Sequence, residues 1–182
     1  QVQEPLNIGV LISGSGSNLQ SLIDHIEEGT LSAKISLVVS SRPDAFGIER
    51  AKKAGIPVLV MNREAYADMR MVTAEILDAF PDKVVNLHPA LLPSFKGAHA
   101  IEDAYNFGVK VTGVTVHFAN ADYDKGPIIA QQPVEVREGE PIEALEERIH
   151  LAEHELYPHV IQLLAEGRVD VCPETRKVHI SS

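Results

Sequence analysis

Apolar residues along the chain follow two different rhythms. Four short runs, 7–13 (NIGVLIS), 34–40 (KISLVVS), 56–61 and 83–88 (KVVNLH), are dense in apolar residues and bounded by glycine, proline or polar turns. That is the pattern of strands buried in a sheet. Between them, 18–28 places Leu19, Leu22, Ile23 and Ile26 at helical spacing, and 46–54 and 63–79 read as two further helices, the former stopped by Gly55. Strand and helix alternating in this way predict right-handed β-α-β units and a parallel sheet.

The second half changes rhythm. A loop with two prolines spans 89–97, a short helix 101–107 closes on Gly108, and the runs 111–118 (VTGVTVHF) and 128–136 flank a turn at 122–126. Those two runs are expected to pair antiparallel. A long amphipathic helix covers 143–165 up to Gly167, and an extended pair, 169–171 and 177–180, ends the chain. The expected class is α/β: three layers, a mostly parallel sheet with helices on both faces, a Rossmann-like N-terminal half and a C-terminal antiparallel element. No repeat or linker divides the pattern, so residues 1–182 are expected to form a single domain.

Composition narrows the possible partners. Acidic residues outnumber basic ones 26 to 16, for a net charge of −10. A surface of that sign suits neither nucleic acid nor a polyanion, so an anionic ligand must be caught locally by aimed amides. The one cysteine, Cys172, has no partner for an internal disulfide. Together with an N-terminus that lacks the apolar core of a secretion signal, this predicts a reducing, cytoplasmic compartment. No apolar run approaches the length of a membrane span.

The first candidate site is the glycine-rich turn Ser13-Gly14-Ser15-Gly16-Ser17-Asn18, between the first strand and the first helix. Glycines permit a tight turn, and the helix start offers free N–H groups and the positive end of its dipole. The simpler alternative is a plain turn with Ser17 or Asn18 as N-cap. The dinucleotide fingerprint fails at its third glycine, where Leu19 stands, and no acidic ribose reader follows the second strand. Arg42 stands at that point instead and suits a 2′-phosphate, which keeps an NADP-dependent reductase as a rival reading. A phosphate monoester fits the loop best.

The second candidate is Asn86-Leu87-His88-Pro89, at the carboxyl end of the fourth strand, where open α/β sheets bind ligands. Asn86 and His88 project from one side of an extended chain and offer an amide donor and an imidazole to one point. A carboxylate such as Asp124 beside His88 would favour the imidazolium; an ordinary solvated turn residue is the alternative. His117 either lines the site or is structural. His150-Leu151-Ala152-Glu153-His154 has the H-x-x-E-H spacing of inverted zinc peptidases but lacks a suitable downstream ligand, so no metal is expected. The same helix face also presents His150 and Glu153, one turn apart, to a polar ligand.

These motifs together resemble the folate-dependent formyltransferases, and within them the phosphoribosylglycinamide formyltransferases. The resemblance runs through Gly14-Ser15-Gly16-Ser17-Asn18-Leu19-Gln20, Asp44-Ala45-Phe46-Gly47, Arg63-Glu64-Ala65-Tyr66, Asn86-Leu87-His88-Pro89-Ala90-Leu91-Leu92-Pro93, Gly113-Val114-Thr115-Val116-His117-Phe118 and Asp124-Lys125-Gly126-Pro127-Ile128-Ile129. It implies formyl transfer from 10-formyltetrahydrofolate, as co-substrate and without a metal, to the amine of 5′-phosphoribosylglycinamide in purine biosynthesis. Asn86, His88 and Asp124 would be catalytic. Gly16, Ser17 and Asn18 would hold the substrate phosphate, Glu153 its ribose, and His150 would lie nearby. Arg63 and Asn86 would contact the folate. The implied partners are small molecules, with no nucleic acid and no membrane; a homodimer is compatible with the pattern. The rival without catalysis is a phosphosugar-binding module.

In one place the chain departs from the family. Relatives carry a further strand and helix before the Asn-x-His strand, including a Met-Arg-x-Leu segment whose backbone holds the pterin. Here Ala79 runs through Phe80-Pro81-Asp82 directly into that strand. About 25 residues of the pattern have no counterpart, so part of the folate pocket that the resemblance implies is not named.

Overall fold

The structure, a computed structural model, describes residues 4–61, 69–121 and 124–182. Eight strands and five helices are described, in the order β1 (Leu6–Ile12), α1 (Ser17–Glu27), β2 (Ala33–Ser40), α2 (Gly47–Lys53), β3 (Val58–Val60), α3 (Met69–Ala79), β4 (Val85–His88), α4 (Ala100–Phe107), β5 (Val111–Phe118), β6 (Ile128–Glu135), α5 (Ile142–Ala165), β7 (Val169–Val171) and β8 (Val178–Ile180). The α/β alternation expected from the sequence is present.

β1, β2 and β3 form a parallel sheet. Leu19, Leu22 and Ile23 of α1 and Ala51 of α2 are buried with Ile35 and Val38 of β2. On the opposite face Leu11 and Leu59 are exposed, both in register with Val39.

β4 differs from the sequence expectation. It does not extend the parallel sheet; it pairs antiparallel with β5, which pairs antiparallel with β6. An apolar run marks a strand as extended, but its partner is chosen by contacts distant in sequence. β1 and β4 are both edge strands among the described residues. The expected antiparallel pairing of β5 with β6 and of β7 with β8 is present.

Helix α5 joins the two halves. Leu145, Ile149, Ala152 and Leu156 are buried with Val114, Val116 and Phe118 of β5, while Ile161, further along the same helix, belongs to the core around α1 and β2. Tyr157 packs against both cores, and its hydroxyl donates to the Val85 carbonyl at 3.2 Å. Burial pushes its phenol up to about 12, so it stays a donor at any physiological pH. The helix that carries His150 and Glu153 therefore also ties down the start of β4.

Candidate active site

The glycine-rich turn owes its shape to two close approaches. Gly16 has φ +71°, and a Cβ there would stand 2.6 Å from the Gly47 Cα. A Cβ on Gly47 would in turn stand 2.7 Å from Ile12 Cδ1. Gly16 admits no side chain, because its neighbour is backbone, whereas at position 47 the tip of Ile12 would have to move; the turn thus lies flat against the start of α2. Gly16 is also the N-cap of α1 and brings no side chain to it, so the plain-turn alternative with Ser17 or Asn18 as N-cap does not hold. The first bond of the helix ladder runs from the Gln20 N–H to the Gly16 carbonyl at 2.9 Å. The N–H groups of Ser17, Asn18 and Leu19 precede that ladder and are left without helical partners at the helix start, the arrangement that can hold an anion.

This turn meets α5. Asn18 Nδ2 lies 3.4 Å from Glu153 Oε2, and His150 Nδ1 lies 3.2 Å from the same oxygen. Glu153 is buried although it is a carboxylate, and Asn18 Oδ1 is buried without a hydrogen-bond partner. A buried acceptor left open in this way has the chemistry to receive a ligand hydroxyl or amine. All five residues assigned to the phosphosugar thus come together, from segments more than 130 positions apart. A shallow cleft of about 270 Å³, lined among others by Ser13, Gly14 and Ser15, borders the turn. Arg42, the residue that kept a reductase in view, is bound through two nitrogens to Asp44, at 3.0 and 2.8 Å.

The second cluster assembles around the end of β4. Antiparallel register sets Asn86 opposite His117 and His88 opposite Thr115. His88 is 4% exposed. Its Nε2 donates to the Phe95 carbonyl at 2.8 Å, and since a carbonyl only accepts, that nitrogen carries a proton. Its Nδ1 lies 3.6 Å from Asp124 Oδ1, close enough for charge attraction but too long for a hydrogen bond. Nδ1 is therefore the nitrogen left for other chemistry. Asp124 is no solvated turn residue. Its side chain is 12% exposed, and Oδ2 accepts the Gly97 N–H at 3.0 Å.

His117 completes the group. Its Nδ1 donates to the Phe118 carbonyl at 3.0 Å, which leaves Nε2 as an acceptor for the Asn86 amide at 3.2 Å. Burial holds its imidazole below the ordinary histidine value, against the opposing pull of the Phe118 carbonyl and Asp124. A neutral ring in this tautomer fixes which end of the Asn86 amide carries the donors. One amide hydrogen is used on His117 and the second remains free. The sequence left His117 open between lining the site and a structural role; the signal was its register opposite Asn86, which becomes visible once β4 and β5 are paired.

Backbone and neighbouring polar groups hold this arrangement in place. Thr115 Oγ1 donates to the Ala90 carbonyl at 2.7 Å and accepts the Leu92 N–H at 3.1 Å, and Gln131 Nε2 reaches the Leu92 carbonyl at 3.0 Å. β5 is accordingly buried on both faces, and the strand-end loop covers Thr115. The turn carrying Asp124 lies so close to β5 that a Cβ on Gly126 would fall 1.6 Å from the Phe118 carbonyl oxygen. Gly126→Ala is therefore expected to cost about 3 kcal/mol or more by overpacking. In a chain of this size that lowers the melting temperature by roughly 6–12 °C. A melting temperature within two degrees of wild type, roughly the smallest shift expected per kcal/mol, would show that the turn can give way.

Arg63, assigned to the folate, lies outside the described residues. Glu153 of the His150–His154 motif is engaged by His150 and Asn18, and burial holds His154 below its ordinary value.

The match to known proteins agrees with this geometry. Residues 6–70 and 66–161 match the family model described as formyl transferase. The chain belongs to the formyl transferase family. The two matched stretches overlap at residues 66–70. Trifunctional purine biosynthetic protein adenosine-3 from Homo sapiens is 40% identical, over 90% of this chain and 19% of that protein. The chain thus spans less than a fifth of the length of such trifunctional relatives. Phosphoribosylglycinamide formyltransferase from Bacillus subtilis is 35% identical, over 85% of this chain and 92% of its own length. Among solved structures, glycinamide ribonucleotide transformylase 1 from Symbiobacterium toebii superposes with a TM-score of 0.89 at 41% identity, covering 98% of this chain and 95% of that one. No described helix of this formyl transferase is long and apolar enough to cross a membrane.

Proposed function

We propose that the chain, acting as one domain, is a phosphoribosylglycinamide formyltransferase of cytoplasmic purine biosynthesis. It takes the formyl group of 10-formyltetrahydrofolate and transfers it to the glycinamide amine. The observation that carries the reading is the Asn86–His88–Asp124 cluster, with His117 behind it, on a chain whose family transfers formyl groups. A neutral amine attacks the formyl carbon, and the carbonyl oxygen takes up negative charge. The free hydrogen of the Asn86 amide and protonated Nδ1 of His88 are the donors that meet it. Asp124, 3.6 Å from that nitrogen, stabilises the ring while it is charged. The proton lost by the amine passes through Asp124 and water to the folate nitrogen that carried the formyl group, and collapse of the tetrahedral adduct breaks the bond to that nitrogen and releases tetrahydrofolate.

Gly16, Ser17 and Asn18 hold the phosphate by backbone N–H groups, and Glu153 accepts from the ribose hydroxyls, with His150 beside it. Arg63 and Asn86 are assigned to the folate. None of these steps calls for a metal. The direct test is formylation of 5′-phosphoribosylglycinamide by the purified chain with 10-formyltetrahydrofolate, in the presence of a chelator. Absence of product, or product only after a metal is added, would overturn the reading.

Phosphate capture has its own expected result. Removing the phosphate leaves the helix-start amides without their anion, so the dephosphorylated nucleoside should bind at least tenfold more weakly, a loss of about 1.4 kcal/mol or more. Calorimetric titration of both forms checks this, and equal affinities would mean that the turn holds no phosphate.

A further inference from the structure

The proposed mechanism uses His88 and Asp124, yet both are held by one loop that it does not mention. The Phe95 carbonyl accepts from His88 Nε2, and the Gly97 N–H donates to Asp124 Oδ2. The imidazole and the carboxylate are thus each set by a backbone group of residues 94–97. The base of this loop is pinned through Leu92 by Thr115 and Gln131. Its tip is not regular structure, and Phe95 has φ +51°, a left-handed conformation that a bulky residue rarely adopts. Such a conformation persists only where surrounding contacts impose it.

The contact available to impose it is aromatic. The Phe95 ring meets the Phe107 ring edge to face, with centroids 5.9 Å apart and planes at 67°. Phe107 is 79% exposed and is the last residue of α4. An exposed phenylalanine adds little to a core, but this one stands on a rigid support. Ala100 and Ala104 of α4 are buried, the Tyr105 hydroxyl donates to the Glu140 carbonyl at 2.8 Å, and Gly108 closes the helix in the left-handed region.

We propose that Phe107 is a positioning residue for His88 and Asp124, acting through the Phe95 ring and the backbone of residues 94–97. It touches no reacting atom. By holding Phe95 it keeps the carbonyl on His88 Nε2, which turns Nδ1 toward the reacting side, and keeps the Gly97 N–H on Asp124. The inference rests on the formyl-transfer reading only for its kinetic consequence; the imidazole geometry can be read without it.

The experiment compares Phe107→Ala, Phe107→Tyr and Phe95→Gly with wild type. Truncation at an exposed site should leave the melting temperature nearly unchanged. Phe107→Ala is expected to lower kcat about tenfold with KM held within about twofold, since misplaced catalytic groups cost rate rather than ground-state binding. In proton–nitrogen spectra the His88 Hε2 resonance, protected in wild type by its bond to Phe95, should broaden or vanish. Phe95→Gly relieves the left-handed conformation but removes the ring, and should show the same two losses. Phe107→Tyr keeps the ring and should restore both. A Phe107→Ala protein with wild-type kcat overturns the proposal, as does lowered kcat with the Hε2 resonance intact, or failure of tyrosine to restore. If wild type itself transfers no formyl group, the functional reading fails, and the resonance still decides whether Phe107 holds the loop.

Discussion

Replacing His88 by alanine is expected to lower kcat for formyl transfer by about 10²–10³ or more, the cost measured elsewhere for loss of one preorganised oxyanion donor. KM for either substrate should change little, because the donor meets charge that develops only in the transition state. Stability is the competing explanation for any loss of activity. His88 is buried and donates to the Phe95 carbonyl, so the alanine variant leaves that carbonyl unpaired and a cavity beside it. His88→Gln separates the two effects. Its amide can still donate to Phe95 and fills most of the space, but it cannot carry positive charge. Stopped-flow single-turnover kinetics on both variants, alongside thermal unfolding, should show both proteins slow and only the alanine variant markedly destabilised. Glutamine turnover within about tenfold of wild type would remove the imidazolium from the mechanism.

Asp124→Asn is expected to reduce turnover by about 10², the lower end of what positioned acid–base groups contribute. The substitution keeps size and leaves an amide oxygen to accept from Gly97, so the loop should hold and the melting temperature should stay near wild type. What disappears is the negative charge 3.6 Å from His88 Nδ1 and 3.9 Å from His117 Nε2. Substrate affinity, read by calorimetry, should move far less than the single-turnover rate. A variant with near-normal turnover would reduce Asp124 to a tie for the loop, and the chemistry would then rest on Asn86 and His88. A fall in melting temperature matching the fall in rate would assign the residue to structure instead.

The sequence by itself determined the elements, the chemistry-bearing residue types and the family. Each rests on information local in the chain: strand and helix periodicity, glycines where backbones must approach, an amide and an imidazole two residues apart at a strand end. Gly16 and Gly126 illustrate how far this reaches, since their identities mark turns, but what each excludes, the Gly47 Cα and the Phe118 carbonyl, lies elsewhere in the chain. Only tertiary structure decided the pairings. β4 reads like the strands before it, yet it lies against β5 in antiparallel register, and that register alone makes His117 the partner of Asn86. By spacing alone Asp124 read as a solvated turn residue, and only the packing of its turn onto β5 brought it beside His88. The contributions of Phe95 and Gly97 had no signal in the sequence, because a backbone carbonyl and an N–H are present at nearly every position and acquire a role only when a loop aims them. Asn18 and Glu153, 135 residues apart, meet because α5 packs across both cores. Local pattern specifies what a segment can do; which groups converge follows from burying apolar faces shared by distant segments, and no window of sequence contains that.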